Sequence, residues 1–470
     1  MPGPSPWATP HRSVGAAGAT IAAPAPVRRT AAARGGRVTQ AIANRGVGPI
    51  VTTCVALFLF LSISRFHMHL KILATLRVPL LLGGIGLLLS LASTEYWKPR
   101  ELFGHYVMKG VVLIFAIGII GIPFSIYGSR SLEFLRQDFL TTVLAGVMAG
   151  VVSRTPSGAR AMIKTIALGA IVACMLAVAL GRHDNEGRLT GGYMYDPNDI
   201  ALVANIAIPL VVWWALSPRE RFGKITLAAI PLFIYVIIRS DSRGGFLALC
   251  ATAVGFMVLG FRNVAPRLKV VSWLLPAALL VGIPFMPSSY LDRIRSIWAE
   301  DDYNVTSYSG RKNLWRRGMY YAFTHPLTGV GLENFRTAEG RDLAREATPG
   351  RGIKWSAPHN SWVQIFAELG LIAGTVFSLL FIVAPYKLIR AYRRNVSTDL
   401  IAPMLGITII TFVVAAFFLS WGYYDLTYIL LALSANVLMQ EQALQAAGAP
   451  QPNGSPPGRS VAAPVKTRPA

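Results

Sequence analysis

The chain has 470 residues, of which 53% are hydrophobic and only 14% are charged, and its mean hydropathy is +0.48. Because soluble domains carry about 25% charged residues, this composition excludes an ordinary soluble enzyme and predicts an integral membrane protein. The net charge of +23 is also found in nucleic-acid-binding proteins. However, most Lys and Arg fall in segments predicted to be cytoplasmic, as the positive-inside rule requires, so nucleic acid is not an expected partner.

Apolar runs long enough to cross a bilayer recur along the chain, each about 17 to 25 residues in length. With a cytoplasmic N-terminus, they predict an all-α polytopic membrane protein of about 12 transmembrane helices. The runs lie at 47–64, 78–93, 108–127, 138–153, 163–181, 199–216, 222–238, 244–261, 270–287, 361–385, 400–420 and 422–439.

These spans divide the chain into five parts. Residues 1–45 and 441–470 are rich in Ala, Pro and Gly and are predicted to be disordered cytoplasmic tails. Residues 46–287 hold the first nine helices and residues 361–440 the last three. Between them, residues 288–360 form one long outer loop with short helices, dense in arginine and aromatic residues.

Within that loop, a basic and aromatic stretch at 310–323 has helical spacing. It fits either a helix at the membrane interface or a packed loop helix with a solvated basic side. The long loop is largely exempt from the positive-inside rule, so its arginines are available for an anionic partner.

Three polar clusters each precede a span that runs from the outside inwards, at 188–198, 240–245 and 358–360. Free N–H groups and the positive end of the helix dipole make such helix starts favourable for anions. An arginine adds a bidentate donor suited to phosphate, and Gly244 with Gly245 lets a backbone approach a ligand closely. Together the clusters predict a diphosphate receptor at the outer face of the membrane.

Structural explanations stand beside these functional ones. Arg243 fits an arginine that snorkels to the interface, and His359 fits a structural hydrogen-bonding residue. If His359 is catalytic, the helix start and the nearby arginines should keep its imidazole neutral, as a general base requires.

Carboxylates offer a metal-dependent alternative. Glu300, Asp301 and Asp302 are adjacent in the long loop and can hold Mg²⁺ or Mn²⁺, although a solvated turn or local salt bridge explains them equally. Glu368 and Asp425 lie in or near spans, where ionisable residues are functional candidates.

Taken in order, the motifs resemble those of the O-antigen ligase and polymerase superfamily. The motifs are Arg-x-x-Gly (188–191) with Asp-Pro-Asn (196–198), Ser-Asp-Ser-Arg-Gly-Gly (240–245), Gly-Arg-x-x-Leu-Trp (310–315), Pro-Leu-Thr-Gly-Val-Gly (326–331), and His-Asn-Ser-Trp with Glu-Leu-Gly (359–370).

The resemblance implies a GT-C type, inverting, metal-independent glycosyltransferase of the bacterial inner membrane, with its active site facing the periplasm. Its donor would be an undecaprenyl-diphosphate-linked glycan and, in the ligase branch, its acceptor lipid A core; no cofactor is implied. The family pattern assigns His359 to catalysis, as general base or as diphosphate ligand. It assigns the donor diphosphate to Arg188, Arg243 and Arg311, and Asn198 and Asn360 are supporting candidates.

Three other functions remain open from the sequence. The short C-terminal tail disfavours the branch that glycosylates proteins, and a single long outer loop favours the ligase over the polymerase. A membrane transporter of lipid-linked glycan would use the same arginines without chemistry, but the long loop follows the ninth span rather than joining two matched halves.

Overall fold

The computed structural model describes residues 31–192, 195–218, 220, 222–260, 266–296, 310–346, 355–393 and 400–448. The chain forms two compact units, Met1–Gly46 and Val47–Ala470. In the first unit the described residues are helical from Ala31. The second unit contains all the residues considered below.

The described residues are helical apart from turns and two isolated β-bridges in the loop 183–195, so the all-α prediction is confirmed. The helices are α1 (Ala31–Ser64), α2 (Lys71–Thr75), α3 (Val78–Ala92), α4 (Pro99–Leu102), α5 (Tyr106–Ile120), α6 (Gly128–Phe134), α7 (Leu140–Val152), α8 (Pro156–Leu180), α9 (Pro197–Leu216), α10 (Ala229–Arg239), α11 (Arg243–Gly260), α12 (Pro266–Gly282), α13 (Ser288–Arg295), α14 (Arg311–Thr324), α15 (Phe335–Glu346), α16 (Ser361–Arg393), α17 (Ile401–Ala416) and α18 (Asp425–Gly448).

Each of the predicted apolar runs coincides with helix, and among the described residues six helical segments are long and apolar enough to cross a membrane. The run at 222–238 divides into a 3₁₀ segment, Gly223–Ala228, followed by α10. The six segments are Gly128–Val152, Pro156–Leu180, Pro197–Leu216, Arg243–Gly260, Leu268–Phe285 and Ser361–Ala391. The chain is therefore a multi-pass membrane protein, while the count of twelve spans stays a prediction.

Helix α9 lies at the centre of the second unit. It packs against α8, α10, α11 and α17, and nearly all of its side chains are buried. By contrast, α12 and α3 leave large apolar side chains such as Leu274, Leu280 and Leu80 exposed. Such a surface is unfavourable in water but matches lipid, so these two helices lie at the rim of the bundle.

A kink in α16 holds the segment 326–331 against the bundle. Gly370 has φ 83°, a conformation that favours glycine, and the N–H of Leu371 after it donates to the carbonyl of Pro326 at 2.7 Å. Gly331, with φ 100°, donates to the carbonyl of Glu368 at 3.0 Å. Two of the family-like motifs thus form one structural unit, and their glycines permit the close approach.

The predicted long loop, residues 288–360, contains short helices among its described residues, and α14 coincides with the predicted basic helix at 310–323. One side of α14 is buried against α16 through Leu314, Gly318 and Tyr321, which agrees with a packed loop helix. Its Arg317 donates to the fully buried carboxylate of Glu339 on α15 at 2.7 Å. At least one of the basic residues of α14 therefore forms an ion pair within the protein.

The predicted tail boundaries differ from the helix ends. Helix α1 starts before residue 46, and α18 continues past residue 441 to Gly448. Residues 1–30 and 449–470 lie outside the described residues, as do Glu300, Asp301 and Asp302. Tail disorder and the acidic metal alternative therefore stay predictions.

Candidate functional site

The start of α16 presents His359 in a constrained backbone conformation. Its φ is 47°, in the left-handed region that few non-glycine residues adopt, and its N–H donates to the Ser420 hydroxyl at 3.0 Å. The indole N–H of Trp315 donates to the neighbouring Pro358 carbonyl at 2.9 Å. Asn360 follows as the helix cap, accepting the N–H of Trp362 at 2.9 Å. Three elements thus fix the position of the histidine.

The start of α11 is organised by Ser242. Its hydroxyl accepts the N–H of Gly245 at 3.0 Å and donates to the side-chain oxygen of Asn198 on α9 at 2.8 Å. A Cβ at Gly244 would lie 3.0 Å from Phe418, and one at Gly245 would lie 2.8 Å from the methyl group of Ala201. The two glycines therefore allow close packing within the protein, and their close approach to a ligand stays a prediction.

Arg311 begins α14 and meets the same part of the chain. Its guanidinium carbon lies 5.9 Å from the ring centre of Phe418, the residue that also packs on Gly244. Trp315, one turn later, makes an edge contact with Phe417 at 5.1 Å. Because Ser420 holds His359, the connection between α17 and α18 is where Arg311, the start of α11 and His359 converge. This segment, 417–421, was not identified from the sequence.

Arg188 lies in a charged network beside this convergence. It pairs with Asp184 at 2.7 Å and Glu186 at 3.4 Å, and Glu186 in turn pairs with Arg293 at 3.1 Å. Burial alone would raise the pKa of Asp184, but hydrogen bonds from the backbone and side chain of Arg188 lower it overall. Arg243 donates to the hydroxyl of Ser296 at 3.2 Å, and Ser296 lies three residues after Arg293 in the sequence. The charge of Arg188 is thus balanced by two carboxylates.

The three helix starts do not offer their first N–H groups to an anion in the way the sequence suggested. Asp196 accepts the N–H groups of Asn198 at 2.7 Å and Asp199 at 2.8 Å, completing a capping box at α9. Ser242 caps α11 and Asn360 caps α16. The protein's own side chains thus accept two N–H groups at α9, one at α11 and two at α16, and arginine side chains remain the strongest candidates to hold an anion. Asn198 and Asn360 act here as structural residues.

A cavity of about 660 Å³ opens beside His359. Of the six residues predicted from the sequence, His359 lines it, whereas Arg188, Arg243, Arg311, Asn198 and Asn360 are not among its described lining residues. The arginines at its wall are instead Arg65, Arg130 and Arg336. Other lining residues are Phe58, Ser62, His67, Pro79, Leu80, Phe134, Gln137, Asp138, Thr141, Thr142, Asp196, Asp199, Glu333, Phe335, Ala357, Pro358, Gln364, Glu368, Leu419, Ser420, Trp421, Tyr423, Tyr424 and Asp425.

Several of the cavity's charges are held by internal contacts. Arg130 donates through Nε to the carbonyl of Glu333 at 2.9 Å and pairs with its carboxylate at 3.5 Å. Glu368, predicted as a functional candidate, accepts the N–H groups of Glu333 at 3.2 Å and Phe335 at 3.0 Å. It therefore anchors the start of α15 while lining the cavity.

Backbone strain marks the same cavity. In the described parts of the chain five non-glycine residues have positive φ, and three of them, Arg65, Glu333 and His359, line it. Such conformations persist where the surroundings enforce them and are common at functional sites. Among the described residues no group of three or more His, Cys, Asp or Glu side chains is arranged to hold a metal ion.

Arg65, Arg130 and Arg336 were missed from the sequence. Arg65 directly follows the first span, whereas Arg243 was selected because its cluster precedes a span, so the same rule did not select Arg65. Arg130 and Arg336 carry no comparable signal because their approach to the cavity depends on the folding of distant segments.

The comparisons with known proteins agree with the motifs. Residues 227–378 match the family model described as O-antigen ligase, a stretch that includes Arg243, Arg311 and His359 and leaves out Arg65 and Arg188. None of the curated proteins matches the chain. The match confirms the resemblance drawn from the sequence motifs: residues 227–378 of the chain are similar to the O-antigen ligase family.

Proposed function

We propose that the chain is an O-antigen ligase. In this proposal it transfers glycan from an undecaprenyl-diphosphate carrier to a sugar hydroxyl of lipid A core, at the periplasmic face of the bacterial inner membrane. The family match indicates transfer of the ligase or polymerase type. The single long outer loop, with α13 to α15 inside it, favours the ligase. A GT-C type fold with about twelve spans and an inverting, metal-independent reaction belong to the same proposal.

The observation that carries the proposal is the position of His359. It lies in the family-matched segment, at the wall of a cavity large enough for sugar residues, and its backbone is held in a strained conformation by Ser420. Attack of an acceptor hydroxyl on the anomeric carbon requires removal of a proton, and a neutral imidazole at that wall can accept it. The same ring can instead donate to the diphosphate, so both roles remain within the proposal.

Departure of the lipid diphosphate requires stabilisation of its growing negative charge. Arg311 approaches Phe418 in the segment that holds His359, and Gly244, the neighbour of Arg243, packs on the same Phe418, which supports the assignment of both arginines to the diphosphate. Arg188 supports this site less directly, since Asp184 and Glu186 already balance its charge. We assign Arg188 to holding the neighbouring network, through Glu186 and Arg293.

The test incubates the purified full-length protein with lipid-diphosphate glycan and lipid A core, with and without EDTA, and measures product mass. We expect a conjugate of glycan and lipid A core whose yield is unaffected by EDTA. Elongated donor without conjugate would identify a polymerase. Movement of labelled donor between leaflets without a covalent product would identify a transporter. Either result contradicts the proposal.

Variants test the diphosphate assignment. Loss of one charge-assisted hydrogen bond costs about 1.5–3 kcal/mol, so Arg243→Gln and Arg311→Gln should each lower kcat/KM by about 10- to 150-fold. The matched control is Arg295→Gln, because Arg295 is exposed on α13 and pairs only at the surface with Asp292. Equal activity of all three variants would remove Arg243 and Arg311 from the diphosphate site.

A further inference from the structure

We propose that Arg65 and His67, at the outer end of α1, form a second oxyanion-binding site in the His359 cavity, which takes a phosphate or carboxylate group of a lipid-linked substrate. The proposal rests on the proposed function only for the identity of the substrates. Neither residue lies in the family-matched segment or belongs to the sites predicted from sequence.

The backbone around Arg65 directs its side chain in an unusual way. Helix α1 ends at Ser64, and the N–H of Arg65 donates to Leu61 at 3.0 Å before the chain turns into the 3₁₀ segment Phe66–His69. Arg65 has φ 54°, the left-handed conformation that usually selects glycine after a helix end. An arginine is therefore placed where the backbone alone favours the smallest residue, which points to a requirement for its side chain.

The side chains of Arg65 and His67 both line the cavity, and each carries a buried nitrogen without a hydrogen-bond partner among the described residues. The nitrogens are Nε of Arg65 and Nδ1 of His67. The Arg65 guanidinium carbon lies 5.6 Å from the ring centre of Tyr195, whose hydroxyl donates to the carbonyl of Ile63 at 2.9 Å. Buried polar nitrogens are nearly always paired in folded proteins, so two unpaired ones at one cavity wall indicate acceptors supplied by a ligand.

The chemistry of the pair selects the ligand class. A guanidinium offers parallel N–H donors that match the oxygens of phosphate or carboxylate. Burial, followed by the nearby charge of Arg65, lowers the pKa of His67, while a hydrogen bond to the Leu61 backbone opposes the shift. Arg130, by contrast, already donates to Glu333. The arginine with an unpaired buried nitrogen is the one best placed to receive a new anion.

Apolar surface adjoins this site and favours an anion carried by a lipid. Phe58, two turns before Arg65 on α1, lines the cavity together with Pro79 and Leu80 of α3, and Leu80 is 56% exposed on the outside of the bundle. A Cβ at Gly83 would lie 3.1 Å from Phe58, so α3 packs directly on α1 here. The cavity therefore brings Arg65 and His67 close to apolar surface at the rim. Both proposed substrates are lipids that carry anionic groups.

The test measures binding to the full-length protein in detergent by native mass spectrometry, with two probes. One is a polyprenyl diphosphate without glycan, and the other is lipid A core. Arg65→Gln should weaken binding of one probe at least about tenfold, the loss expected for a charge-assisted hydrogen bond, and Arg65→Lys should weaken it less. The affected probe identifies which substrate supplies the anion.

The matched control is Arg77→Gln. Arg77 has φ 49°, nearly the same backbone strain as Arg65, but it is exposed at the start of α3 and does not line the cavity. Its replacement should change binding of either probe by less than about twofold, within the range of surface substitutions. Unchanged binding of both probes to Arg65→Gln would overturn the proposal.

A melting curve without substrate separates ligand binding from a structural role. Because Arg65 keeps a buried unpaired nitrogen in the empty site, Arg65→Gln should melt at the same or a higher temperature than the wild type. A lower melting temperature together with loss of both probes would overturn the proposal in favour of a structural role. If Arg65→Gln does not fold, Arg65→Lys decides: unchanged binding overturns the proposal, and weaker binding with unchanged melting supports it. A wild type that binds the probes but forms no conjugate would refute only the ligase assignment.

Discussion

The left-handed backbone at His359 predicts an unusual order of stability among its variants. A φ of 47° costs an L-residue about 1–2 kcal/mol, and glycine avoids this strain while losing about 0.5–1 kcal/mol more conformational entropy on folding. At the midpoints of the two ranges, the difference leaves His359→Gly more stable than His359→Ala by about 0.75 kcal/mol. His359→Asn should lie between them, since asparagine tolerates this conformation better than alanine does.

The assay is thermal unfolding of the three variants in one detergent, followed by conjugate formation. The reverse order is expected at Tyr320, an exposed position inside α14, where the alanine variant should be more stable than the glycine variant by about 1 kcal/mol. If His359 is the general base, its replacement by Gly, Ala or Asn should abolish glycan transfer. If His359 instead binds the diphosphate, the His359→Asn variant should remain partly active. Melting of His359→Ala at or above the temperature of His359→Gly would refute the strain argument.

Three further predictions concern the frame of the site. Glu339→Gln should destabilise the fold by about 3–5 kcal/mol, because it leaves the Arg317 charge without its buried partner; a melting shift near zero would contradict this. Gly370→Ala should lower the melting temperature, because Gly370 has φ 83° and a Cβ there would lie 2.5 Å from the Pro326 carbonyl. The control Gly84→Ala should not lower it, because a Cβ at Gly84 in α3 meets no atom within 4 Å. Equal shifts in melting temperature would contradict this prediction. The pKa of Asp184 is lowered in the folded protein, so the stability that this carboxylate contributes is present above its unfolded pKa and is lost as the pH falls through its folded pKa. The wild type should therefore melt at a higher temperature than Asp184→Asn at pH 6, and this difference should shrink by pH 3. A difference that does not change with pH would contradict the prediction.

The helical frame was predictable because its signal is local. Every predicted apolar run coincides with helix, because apolar residues that cross the hydrocarbon layer of a membrane are consecutive in the sequence and can be recognised there. The division at 222–238 was not predictable from hydropathy, which does not distinguish a 3₁₀ turn from an α-helical one. The kink at Gly370 depends on its contact with Pro326, more than forty residues away along the chain.

The candidate site residues divide in the same way. His359 was predicted because it stands at a junction between a polar loop and an apolar helix, and the structure places it at a cavity. Arg188 was selected by charge and position, but its partners Asp184 and Glu186 lie in the same short loop, and the sequence alone did not show that they would neutralise it. The sequence identifies a charged side chain, but whether that side chain can bind a ligand depends on which residues pack against it in the fold.

This distinction also explains why the predicted arginines are not among the described lining residues of the cavity, while Arg65, Arg130 and Arg336 are. A helix start near the outer face needs its N–H groups satisfied, and Asp196, Ser242 and Asn360 perform that task within one turn. Because these caps use several of the donors, arginine side chains at places where no cap is needed are favoured for anion binding in the cavity. Arg65 occupies such a place, beyond the C-terminal end of α1, where orphan groups are carbonyls and cannot compete for an anion. The end of the first span is therefore as informative for this site as the helix starts that carry the family motifs.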